Sequence, residues 1–142
     1  MFANHFRKSS RAVLAAMAFL AASGCASDTE PAGDFATPCS GQITVQVSAG
    51  LEPVFSWSPV CGVSYVIVET VPGLGAAPAL MWSFTVPEQQ PVGSGVTYGH
   101  APSRSSATVA QPLHAGMGYR VRIGQTLGLD ASVAEGTQLF TP

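Results

Sequence analysis

The stretch LHAGMGYRVRI, residues 113–123, restricts what this chain can fold into more than any other. Tyr119, Val121 and Ile123 alternate with Arg120 and Arg122, and two glycines precede them at Gly116 and Gly118. Successive side chains of a strand point to opposite faces, so an extended segment puts three apolar residues on one side and both arginines on the other. The reading is a turn followed by a strand, with one face in a core and one in water. Fifteen glycines, eleven prolines and only 10% charged residues suit a turn-rich β protein, and 142 residues allow one domain of ordinary size.

The N-terminus reads as processing signal rather than fold. Arg7, Lys8 and Arg11 form a positive segment, and the apolar run 12–22 that follows is short for a membrane span. Residues 1–24 therefore read as a secretory signal peptide. Its end, Ala22-Ser23-Gly24-Cys25, resembles the lipobox of bacterial lipoproteins. That resemblance implies diacylation of the Cys25 thiol, cleavage before it and lasting attachment to membrane. Ala26, where Asp would signal retention, implies delivery to the outer membrane. The alternative is a plain signal peptide that leaves Cys25 as a free thiol. Residues 25–39 read as a flexible, polar, acidic tether with a reach of roughly 20 Å.

After processing, three arginines face eight acids, a net charge of −5. No basic block remains to bind nucleic acid, and the acidic balance opposes adsorption to anionic lipid, so the acyl chains must do the anchoring.

Residues 40–142 match one immunoglobulin-like sandwich in length. Short β-rich runs between glycines and prolines place strands at 42–48, 54–57, 63–71, 80–86, 107–110 and 119–124, and a last one ending at 138–140. A further short edge strand is an option at 96–98. Leu113, the glycine-bearing turn and Tyr119-Arg120-Val121 resemble the tyrosine corner of fibronectin type III domains. In PVFSWSPVCGVSYVIVET, residues Trp57, Pro59, Tyr65 and Ile67 stand where that family has a strand-end Trp, a proline turn and Tyr-x-Val/Ile. The resemblance implies a sandwich of about seven strands. It makes Leu113, Tyr119, Trp57 and Tyr65 structural, with the Tyr119 hydroxyl bonded to upstream backbone.

With Cys25 acylated, Cys39 and Cys61 remain, and an even remainder in an exported chain has one internal pairing. Cys39 precedes the first strand and Cys61 lies in the turn after the second. Those points share one end of the sandwich, so a disulfide is expected there. The other possibility is two reduced thiols.

Signals for chemistry are few. His100 and His114 lack metal-type spacing and read as loop residues; no catalytic residue, cofactor or metal site is assigned. Hydrolase motifs are missing, and the paired glycines at 73/75 and 93/95 lack the third glycine and helix of a phosphate site. With Tyr65 and Ile67 directed inward, Val66 and Val68 are expected to face outward. They would share a surface with Arg120 and Arg122, and with Met81, Ser83 and Thr85, as a possible binding face. The expected function is non-enzymatic: a lipid-anchored envelope module for protein binding or structure, with the membrane as one partner and an unidentified envelope protein as another. No small-molecule substrate is evident. The competing readings are carbohydrate binding through Trp82 and Tyr98, which needs both rings exposed, and an enzyme with an unrecognised site.

Overall fold

The computed structural model describes residues 36–127 and 131–142. They form an all-β sandwich of the immunoglobulin and fibronectin type III kind. In chain order the strands are β1 (Gly41–Gln42), β2 (Thr44–Val47), β3 (Val54–Ser58), β4 (Tyr65–Thr70) and β5 (Leu80–Thr85), then β6 (Val96–Thr97), β7 (Ser106–Ala107), β8 (Tyr119–Leu127) and β9 (Ala131–Phe140). One sheet has the order β1-β9-β8-β4-β5-β7 and the other β2-β3-β6. Among the strand pairs of the described residues, β1–β9 is the parallel one, and an isolated parallel bridge joins Pro38 to Gly62.

The strand expected at 42–48 is divided between the sheets. Gly41 and Gln42 lie along β9, the Ile43 amide donates to the Glu135 carbonyl, and the chain then crosses to pair Thr44–Val47 with β3. Gly136 permits the crossing, because a Cβ there would run into the Ile43 carbonyl. Ile43 and Val45 fill the space between the sheets.

An aromatic series occupies the middle of the core. Tyr119, Phe140, Phe55, Tyr98, Trp82 and Phe84 follow one another at centroid separations between 5.4 and 6.5 Å. Most contacts are edge-on, the arrangement in which ring quadrupoles attract. Tyr119 is fully buried, and its hydroxyl accepts the His114 amide at 3.0 Å, so the expected corner is formed. Leu113 is buried beside it, and Gly116 supplies a positive φ in the intervening turn. Trp57 is also buried, donating its indole N–H to the Cys61 carbonyl at 2.8 Å.

The strand expected at 107–110 is a correction. Val96–Thr97 instead pairs with β3, in the position that completes the smaller sheet. Residues 106–111 lie along the edge of β5: Ser106 and Ala107 pair with it, and Thr108 and Gln111 donate amides to Ser83 and Met81. The physical reason is side-chain volume. Val96 and Tyr98 offer large apolar groups to the core, whereas Thr108 is exposed and Val109 projects into solvent at 84%. The Thr108 hydroxyl also accepts the Ser83 amide at 2.9 Å, so a polar side chain caps an edge that would otherwise be open.

Cys39 and Cys61 form a disulfide, both residues being buried. Closing a loop of sequence separation 22 contributes about 3 kcal/mol in the chain-entropy model. The ordered sandwich therefore begins before residue 40. Gly62 donates to the Thr37 carbonyl at 2.6 Å, and Cys39 donates to the Gly62 carbonyl at 2.8 Å. Gly62 is needed for this approach, since a Cβ would meet the side chains of Pro91 and Ala36 at 2.7 and 2.9 Å. The proposed lipidation residue Cys25 and the signal peptide lie outside the described residues.

Candidate binding face

The outer surface of the six-stranded sheet is decided by how β4 pairs with β8. Val66 lies opposite Ile123 and Val68 opposite Val121, while Ile67 lies opposite Arg122 and Glu69 opposite Arg120. Directly opposed residues share a face. Since Tyr119, Val121 and Ile123 are buried, Val66 and Val68 are too, both at 0% exposure. This overturns the expected binding face. Val66 and Val68 are core residues, and the outward row of β4 is Tyr65, Ile67 and Glu69. Tyr65, expected in the core, is half-buried on the outer surface.

The inversion has a local cause. Tyr65 pairs with Gly124, and a Cβ at Gly124 would run into the Tyr65 ring. Without that Cβ the ring lies across β8, and the phenol donates to Glu135 Oε2 on β9 at 2.9 Å. Three strands are thus tied by one side chain. Further along, Glu69 stands between two guanidinium groups. Arg120 Nη2 is 3.0 Å from Glu69 Oε2, and Arg122 Nη2 is 3.6 Å from Oε1. The Nε atoms of both arginines are covered and have no hydrogen-bond partner among the described residues.

Ser64, Tyr65, Ile67, Thr85, Arg122 and Glu135 line a shallow depression of about 350 Å³ on this face. Its lining combines the apolar Ile67 and Val86 with one cation, one carboxylate and several hydroxyls. Ser64 joins β4 to the end of β8 by accepting the Thr126 amide at 3.0 Å. Met81, Ser83 and Thr85 border the same surface from β5, as expected, since Ser83 and Thr85 pair with Ile67 and Tyr65. Two arginines and two glutamates give the face no net charge. It offers hydrogen bonds, balanced charge and a small apolar centre to a partner.

A second hollow, about 460 Å³, lies between Leu51, Glu52, Tyr98, His100, Gln111 and Leu113. Tyr98 is not available to a ligand as a stacking ring. Its hydroxyl donates to the Gln111 carbonyl at 2.7 Å, and Trp82 packs against it with centroids 5.4 Å apart. Burial, reinforced by the neighbouring Tyr119, pushes the Tyr98 phenol up to about 12. With Trp82 and Tyr98 at 1% and 5% exposure, the carbohydrate platform they would have formed is not present. His100 and His114 are exposed in loops.

Sequence reasoning missed four members of the outer face: Tyr65, Ile67, Glu69 and Glu135. Glu69 was identifiable in principle, as the one acid in a β-branched run, but its place between the arginines depends on register. Among the described residues, no group of three or more His, Cys, Asp or Glu could hold a metal ion. Compared with protein-family models, with curated proteins and with solved structures, the chain matches none.

Proposed function

We propose that this protein is a non-catalytic, lipid-anchored module of the bacterial cell envelope, held to the outer membrane through Cys25, with a sandwich that serves protein binding or structure. The observation that carries the reading is the N-terminal pattern: basic residues, an apolar run, then Ala22-Ser23-Gly24-Cys25. The Cys39–Cys61 disulfide supports it, because such bonds persist in exported proteins. The binding surface on this reading is the outer face around Tyr65, Ile67, Arg120 and Arg122. Fold and sequence motif supply the argument here, and a sandwich by itself specifies no activity.

The test is membrane fractionation of the full chain with intact mass of the mature form. Wild-type protein should require detergent for release and carry the mass of acyl groups on Cys25. Cys25→Ser should be soluble or remain an unprocessed precursor. A soluble mature chain with an unmodified Cys25 thiol would overturn the reading.

A further inference from the structure

We infer that the end of the sandwich where the chain enters it, led by the turn at residues 59–63, rests directly on the bilayer that holds the anchor. The inference depends on lipidation of Cys25. Ala36, where the described chain begins, lies only eleven positions after Cys25. Such a segment spans at most roughly 40 Å fully extended, and roughly 18 Å as a random chain.

The entry point is fastened to the turn at residues 59–63. Gly62 donates to the Thr37 carbonyl, Cys39 donates to the Gly62 carbonyl, and the disulfide joins Cys39 to Cys61. The site of attachment and the turn therefore move as one body. At its tip Val60 is 94% exposed, although Val63 nearby is fully buried. No charged residue occurs from Ser58 to Ser64, nor from Gly124 to Leu127 at the neighbouring end of β8. Leu127 is itself 55% exposed. In a mature chain of net charge −5, contact with lipid has to be made by uncharged surface.

Leu74, in the loop between β4 and β5, is more exposed than Val60. It belongs to the opposite end, separated by the six residues of β4, roughly 20 Å of strand. Bringing it to the same bilayer would require the domain to lie on its side. The turn beside the anchor needs no such tilt. Because the acyl chains already hold the domain at the surface, the contact is intramolecular, and a small apolar tip suffices.

The experiment uses the full lipidated chain reconstituted into phosphatidylcholine vesicles containing brominated phosphatidylcholine. Val60→Trp and Leu74→Trp are compared, with the signal of the buried Trp57 and Trp82 subtracted from wild type. The expected result is quenching of the introduced Trp at 60 several-fold stronger than at 74. Equal quenching, stronger quenching at 74, or no quenching at either position in a vesicle-bound chain would overturn the inference and leave the anchor reading intact. Failure of the wild-type chain to float with vesicles would instead remove the anchor reading, and this inference with it.

Discussion

Strand β4 presents two rows of side chains that look alike on paper and behave differently. Val66 and Val68 are sealed between the sheets, whereas Tyr65 and Ile67 are half-buried on the outer surface. Up to Val68 both rows are apolar or aromatic, so alternation identifies a strand without saying which way it faces. The neighbouring β8 has no such ambiguity, because its outward row is arginine. The phase of β4 is inherited from β8 through pairing, and is secured by the gap over Gly124 that receives Tyr65. A strand with two apolar faces takes its orientation from a partner with one.

The largest effect that would test this contrast is the deletion of each tyrosine. Tyr119→Ala should cost about 3–5 kcal/mol, the range for removing a buried aromatic. Tyr65→Ala should cost about 1 kcal/mol, for one exposed hydrogen bond and partial burial. Urea melts of the two variants provide the comparison, and equal losses would show that the outer surface is as tightly packed as the core. Tyr119→Phe isolates the corner hydrogen bond, and its removal should cost about 1–3 kcal/mol because the His114 amide loses its acceptor.

Next in size is the staple. Cys61→Ser should lower stability by about 3 kcal/mol, which for a domain of this length lowers the melting temperature by well over 10 °C. Thermal unfolding of wild type with and without reductant checks the same quantity. A change of only a few degrees would show that the hydrogen bonds between Thr37, Cys39 and Gly62 hold that end unaided.

Gly124→Ala should cost about 1–3 kcal/mol, as expected for overpacking, since its Cβ enters the space of the Tyr65 ring. Combining it with Tyr65→Ala should recover part of that loss, a coupling that a double-mutant cycle measures. Additive losses would mean that Gly124 matters for its backbone or for the nearby Ala134 carbonyl, which its Cβ would also approach at 2.7 Å.

A further effect shows itself only at high pH. The Tyr98 phenol has its pKa raised from 10.0 to about 12, so the folded state holds this proton more tightly than the unfolded chain. The stability it contributes is complete below pH 10 and is lost as pH rises from about 10 to 12. Absorbance titration at the phenolate band should show a late phase that Tyr98→Phe removes. Tyr98 titrating near pH 10 would show that its ring is not held in the core.

Much of this architecture was legible in the residues. The corner at Leu113–Tyr119 and the buried Trp57 were legible through their resemblance to fibronectin type III motifs, the all-β sandwich through turn-punctuated strand runs, and the pairing of Cys39 with Cys61 through arithmetic on few cysteines. What could not be read depends on contacts between distant segments. The strand completing the smaller sheet is two residues long at Val96–Thr97, too short for a periodic signal, while SATVAQPL has the composition of a strand and only a marginal inward face. The outer surface failed for the same reason. Its members Tyr65, Gly124 and Glu135 are spread over 70 residues, and only register brings them together.

Arg120→Ala is the smallest expected effect, and it sharpens the comparison from the outer side. Arg120 is one residue from the fully buried Val121 but points to water, where it pairs with Glu69 at 3.0 Å. Exposed pairs typically contribute between zero and 1 kcal/mol, and the Arg120 side chain is 37% exposed. Its loss leaves Glu69 near Arg122, so the carboxylate is not stranded. The expected cost is about 0.5 kcal/mol, diminishing as salt is added. Val121→Ala, one step along the same strand, should cost several times more and be indifferent to salt, because it opens a cavity. Should Arg120→Ala match the Val121 change in size, the covered Nε and the stem of Arg120 would have to be packing elements in their own right. The outer face would then be a second, smaller core, and its use as a binding surface would require that core to open.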